Sequence, residues 1–208
     1  MPIKKLTLAA TFLALAATFL ALAATTAFAQ TPGVRVRGTV EKLEGGVATV
    51  KTAEGQSVVL KLAPNVSISA VVKISAAEIK PGSFIGAGAR PRPDGSLSAI
   101  QIYVFPEALR GTGEGHRDWS AMPQTTMTNA TVAETVSAVN GPELTLKYKD
   151  GEKKLVIGPD ANIITTVPAD ASDLKVGTEL VTTATKNEDG SLSSARITVG
   201  KNGVAPPL

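Results

Sequence analysis

The stretch Gly113-Glu114-Gly115-His116-Arg117-Asp118-Trp119 holds the only histidine and the only tryptophan of the 208-residue chain. A hydrolytic triad needs a histidine beside a nucleophile and an orienting carboxylate. Ser120, Glu114 and Asp118 lie near His116 in sequence. The surroundings are glycine-rich, however, with no strand–turn–helix elbow to present Ser120. A zinc centre takes three or four His, Cys or carboxylate ligands, and here one histidine and no cysteine leave only carboxylates to complete it. Gly111-Thr112-Gly113-Glu114-Gly115 lacks the Lys-Ser/Thr that closes a phosphate loop. The plainer expectation is a joint. Gly111, Gly113 and Gly115 turn the backbone, Trp119 packs into a crevice between two domains, and His116 and Arg117 bond to backbone carbonyls. The sharper alternative is a metal, an anionic ligand or a partner gripped by His116, Arg117 and Trp119, with Glu114 beside them.

Four arginines form a second candidate. Arg35 and Arg37 share one face of an alternating segment, and Arg90 and Arg92 share another. Together they read as an anion-facing patch for a phosphate, headgroup, acidic glycan or acidic protein. The alternative is a solvated surface.

These residues sit in a chain that begins like an exported protein. Lys4 and Lys5 precede a long apolar run that closes on Ala27-Phe28-Ala29, the small-x-small pattern of a signal peptidase site, with cleavage expected between Ala29 and Gln30. Retention of residues 1–29 as an anchor is the alternative. No later run is long and apolar enough to span a bilayer as a helix, so no membrane span is expected after signal removal. The absence of cysteine excludes a lipoprotein anchor, disulfides and thiolate chemistry. The signal takes two of the 21 basic residues and none of the 18 acidic ones, leaving a net charge of +1. That balance, with few aromatics, argues against nucleic-acid binding.

The rest of the chain reads as a repeat. Asp94-Gly95-Ser96-Leu97-Ser98 recurs as Asp189-Gly190-Ser191-Leu192-Ser193, and Thr39-Val40 falls over Thr135-Val136. Each copy alternates in short strands broken by Gly-rich turns, with one helical turn ending at Pro81-Gly82 or Val176-Gly177. The expected fold is all-β: two tandem, six-stranded OB-like β-barrels, each with a short helical turn. Repeat 1 covers 34–105 and repeat 2 covers 131–200. A linker spans 106–130, and 201–208 form a flexible tail. Closure would remove exposed strand edges. Residues 34–110 carry 10 basic and 6 acidic side chains, and residues 131–203 carry 8 and 10, so the copies attract each other.

Gly38-Thr39-Val40, Pro81-Gly82 and the segment Asp94-Gly95-Ser96-Leu97-Ser98-Ala99-Ile100-Gln101-Ile102 resemble an exported bacterial family of small OB-like β-barrel repeats, a domain of unknown function. The second copy departs from that pattern, with Glu134 before Thr135 and Ser194 in place of alanine. Relatives often carry the label metal ABC transporter permease, which implies membrane spans this sequence does not have beyond its first apolar run. The resemblance brings no catalytic residues and no cofactor. The expectation is therefore a periplasmic or secreted non-enzymatic protein, a tandem-barrel binding or interaction module. Its partner would be another protein or an envelope component. The alternative is a metal-handling or anionic-ligand-binding protein centred on His116 and Trp119.

Overall fold

A computed structural model describes residues 33–138 and 141–207. The signal segment and its Ala29/Gln30 cleavage site lie outside the described residues. Twelve strands form in chain order: β1 (Val34–Glu44), β2 (Val47–Thr52), β3 (Ser57–Lys73), β4 (Phe84–Pro91), β5 (Leu97–Val104), β6 (Gly115–Asp118), β7 (Thr126–Val136), β8 (Glu143–Tyr148), β9 (Gly151–Val156), β10 (Asn162–Ala169), β11 (Glu179–Lys186) and β12 (Leu192–Gly200). The only helical pieces among the described residues are three short 3-10 turns. The all-β expectation therefore holds. No helix among the described residues is long and apolar enough to cross a membrane.

The pairings close two rings of five strands. One runs β1–β2–β3–β12–β11 and back to β1, with β3 and β12 parallel. The other runs β7–β8–β9–β5–β4 and back to β7, with β9 and β5 parallel. The expectation of two six-stranded barrels, one per repeat, is corrected here. Each ring joins three strands from one half of the chain to two strands from the other half.

The cores follow the same division. Val36, Val40, Val50 and Leu60 pack with Leu180, Ala184, Ile197 and Val199 in the first ring. Ile85, Ala87, Leu97 and Ile102 pack with Val132, Leu144, Leu146 and Leu155 in the second. Each fully buried Leu, Ile or Val contributes on the order of 1.5–3 kcal/mol. Most of that apolar burial is therefore made only when the two halves are combined. Residues 33–208 accordingly form one compact unit.

The crossing is built from local signals. Ser75 caps the turn Ala76–Glu78 by accepting from the Ala77 amide, and Glu78 reaches back to the Ser75 amide. The turn delivers Ile79, 3% exposed, into the core of the second ring. The matching turn Ala171–Asp173 is capped by Asp170 and delivers Leu174, also 3% exposed, into the first. Between the crossings, β3 pairs antiparallel with β10, from Lys73 against Ile164 to Ile68 against Ala169. Aligned on the shared Asp-Gly-Ser-Leu-Ser segment, Val71 and Thr166 occupy the same place in the repeat, and they pair with each other. The halves are thus related by a local two-fold axis at this pair.

The correspondence of the first strands differs from the sequence alignment. Val40 donates its amide to the Thr178 carbonyl and accepts from Gly177, and the β1–β2 register slips just after it. Val132 donates to Ser83 and accepts from Gly82, with the same slip after it. Thr39-Val40 therefore matches Thr131-Val132 and not Thr135-Val136. Gly45-Gly46 alone joins β1 to β2, whereas 137–142 join β7 to β8, and the longer connection accounts for the difference.

Candidate functional site

The region 106–130 is a strap on the second ring. β7 begins at Thr126, so 126–130 belong to the barrel and not to a linker. Residues 115–118 form β6, antiparallel to β7, pairing Gly115 with Asn129, His116 with Thr128 and Arg117 with Met127. Side chains of one strand alternate between faces. On β4, Ile85, Ala87 and Ala89 face the core, which leaves Gly86 and Gly88 on the outer face. Gly88 is paired with Met127 and Gly86 with Asn129.

Trp119 lies over Gly88. A Cβ built on Gly88 would sit 2.4 Å from indole Cζ3 and 2.6 Å from Cη2, so a bare backbone is required beneath the ring. The indole is 9% exposed. It thus anchors the strap to the outer face of one ring, which corrects the expectation of a crevice between two domains. The Trp119 amide donates to the Thr125 carbonyl and closes the turn between β6 and β7. Phe105 covers Gly86 in the same manner and stacks edge-on with Tyr103, ring centroids 4.6 Å apart.

His116 faces the other way. Its Nδ1 lies 2.8 Å from the Thr128 hydroxyl, and its ring stacks on Tyr148 at a centroid distance of 6.3 Å. Partial burial, then Lys153, lower its pKa from the ordinary histidine value, and Asp118 opposes the shift. The side chain therefore favours the neutral form. A hydroxyl and a phenol ring are poor company for a general base, since no carboxylate bonds its ring nitrogens among the described residues. Arg117 donates to the Gly113 carbonyl at 2.9 Å. His116 uses a side-chain hydroxyl instead of a carbonyl. Glu114 is exposed. No cluster of three or more metal-ligating side chains occurs among the described residues.

The arginine patch is divided. Arg35 and Arg37 stand on β1 of the first ring, while in the second Arg90 stands near the end of β4 and Arg92 just beyond it. Arg92 reaches Asp94 at 3.6 Å. The Asp94 carboxyl is held below the usual carboxylate range, chiefly by the Ser96 hydroxyl. Arg37 donates through Nη1 to the Pro207 carbonyl at 2.8 Å and through Nη2 to the Pro206 carbonyl at 2.9 Å. Pro206 is buried. The expectation of a flexible tail at 201–208 is corrected, because 201–207 pack against the first ring under this clamp. Since each ring mixes both halves, the charge difference between the repeats is not a difference between barrels.

The signal that sequence reading missed is Asn129. It occupies in β7 the place of Arg37 in β1, and its Nδ2 donates to the Thr112 carbonyl at 2.9 Å. Thr112 corresponds to Pro207 by the repeat alignment. The segment leaving β5 and the segment leaving β12 are therefore clamped by equivalent residues. Buried at 6% exposure, Asn129 is a structural residue although it begins an Asn-x-Thr sequon.

No family model, curated protein or solved structure matches this chain.

Proposed function

We propose that the chain is an exported, non-enzymatic binding or interaction protein built on a pair of OB-type barrels. The ring order, three antiparallel strands closed by a parallel partner and a fifth strand, supports the OB-type reading. The observation that carries the functional reading is the use made of Gly113–Trp119. His116 is engaged by Thr128 and Tyr148, Arg117 by Gly113, and Trp119 by Gly88. The residues best suited to chemistry are spent in fastening a strap to a barrel. What such a barrel offers to a partner is strand faces, loops and edges.

The test uses Trp119 as its own probe. Its emission should be blue-shifted, as for a buried indole, and should not respond to Zn²⁺, Cu²⁺, Ni²⁺ or acidic glycans. A saturable change abolished by His116→Ala would replace this reading with a ligand site at the strap.

A further inference from the structure

The edge of β1 at Val34–Arg37 is the counterpart of the β7 edge that β6 occupies. Resting on the interaction-module reading, we propose that it receives an extended acidic segment of a partner protein as an added strand. Val34–Arg37 pair with β11 on one side, while β2 joins the other side only from Gly38 onward. In the second ring, Thr126–Asn129 pair with β4 on one side, and β6 fills the other. The two strands match through Val40 and Val132, so Arg37 stands for Asn129 and Arg35 for Met127. The Val40 amide and carbonyl point to the β11 side, and alternation turns those of Arg35 and Arg37 to the edge that no strand among the described residues occupies.

The neighbourhood is also alike. The tail that Arg37 clamps takes the place of the segment that Asn129 clamps. In the second ring that segment leaves the β7 edge accessible to β6. Where β2 ends, a groove of about 370 Å³ opens between Arg37–Thr39 and Lys51–Ala53, with Glu179 at its border. In the second ring Tyr148 holds the position of Thr52, and it stacks on His116 of β6. A strand added to β1 would set one side chain into this groove.

Charge selects the occupant. Arg35 and Arg37 lie on one face, so residues opposite them on an added antiparallel strand also share a face. Carboxylates at those alternate positions form favourable cross-strand pairs, with exposed Arg35, whose Nη2 makes only a 3.5 Å contact to the Pro207 carbonyl, as the leading cation and Arg37 adding its charge while its two Nη atoms hold the tail carbonyls. A second copy of this chain adding through the same edge would set arginine against arginine, which is destabilising. The occupant is therefore an acidic–apolar–acidic strand from another protein.

The experiment measures fluorescence anisotropy of a short capped peptide alternating glutamate with valine, added to the purified full-length chain. Saturable binding is expected, weakening as salt rises. A peptide of the same composition with its glutamates adjacent should bind at least about fivefold more weakly, because one carboxylate then faces away. Arg35→Pro removes an edge amide that makes no bond to β11, so it should abolish binding while leaving the thermal midpoint unchanged. Arg35→Ala keeps the amide and should weaken binding with a smaller salt dependence, which tests the edge even if the proline variant fails to fold. Hydrogen exchange at the Arg35 and Arg37 amides should be fast in the free chain and slow with peptide. Equal affinity for both peptides, or unaltered binding by a folded Arg35→Pro chain, overturns the proposal. So does protection of those amides without peptide, including protection that grows with chain concentration. Loss of peptide binding with Trp119 still unresponsive to ligands rejects the edge alone, whereas a His116-dependent metal response rejects the reading beneath it.

Discussion

Gly88 and Trp119 allow a test in which one substitution changes sign with its background. Gly88→Ala inserts a methyl group 2.4–2.8 Å from three indole carbons, so the ring must move. Forced overpacking costs about 1–3 kcal/mol. Gly88 is absent from the positive-φ glycines, so alanine meets no backbone penalty there. In a strand interior alanine is in fact favoured over glycine by roughly 0.5–1 kcal/mol. Trp119→Ala removes a side chain only 9% exposed and should cost about 3 kcal/mol, toward the low end for aromatic truncations because the site faces outward. For a chain of this size that lowers the midpoint by about 6–12 °C. In the Trp119→Ala background the obstacle to the new methyl is gone, so Gly88→Ala should become neutral or stabilising by up to about 1 kcal/mol. The coupling across the double-mutant cycle is then about 2 kcal/mol. Urea unfolding followed by far-UV circular dichroism measures all four chains, since the two that carry Trp119→Ala lack the fluorophore. Additive effects would show that Trp119 does not rest on Gly88, and the strap would lose its anchor.

Two further predictions concern the ends of the same argument. His116 has a folded pKa below its unfolded value of about 6.5, so its contribution is fully present above that pH and is lost as pH falls toward the folded pKa. The thermal midpoint should therefore rise with pH up to about 6.5, and His116→Gln should flatten that part of the profile. The depressed carboxyls of Asp94 and Asp170 act in a separate window below about pH 4. Arg37→Ala should release the 201–207 segment, seen as carboxypeptidase trimming that the parent chain resists. A loss of about 1–2 kcal/mol in stability is expected, since two charge-assisted bonds at a half-buried site are removed.

Much of the local structure was legible in the sequence. Val36 and Val40 are buried on the face their alternation assigns, and the Asp-Gly-Ser turns fall where the repeat puts them. The segments 57–62 and 66–74 stand on either side of Pro64-Asn65, and proline donates no ladder bond. In the fold they form the single strand β3, with Pro64 in a stretch that has no ladder partner. The second copy does break at Gly158-Pro159. β6 carries no apolar alternation and was not legible, because its place is set by β7 and by Trp119 rather than by its own burial pattern. The exchange of strands between halves was the least accessible feature. Both copies present the same pattern to either partner, so β1 is as well suited to β4 as to β11. Only the long-range pairing distinguishes them, and no local propensity encodes it.

That pairing is the most direct point of attack on the account. The cysteine-free chain gives a clean background for engineered disulfides. Thr39 is the strand neighbour of Glu179 across β1 and β11, whereas Thr131 is paired with Phe84 across β7 and β4. If each repeat closed its own barrel, Glu179 would instead face Thr131. Oxidised Thr39→Cys/Glu179→Cys chain should therefore give an intramolecular bond, identified by peptide mass on a monomer, and Thr131→Cys/Glu179→Cys should give none. The reverse result, a bond from position 179 to 131 and none to 39, would contradict the exchanged rings and restore one barrel to each repeat.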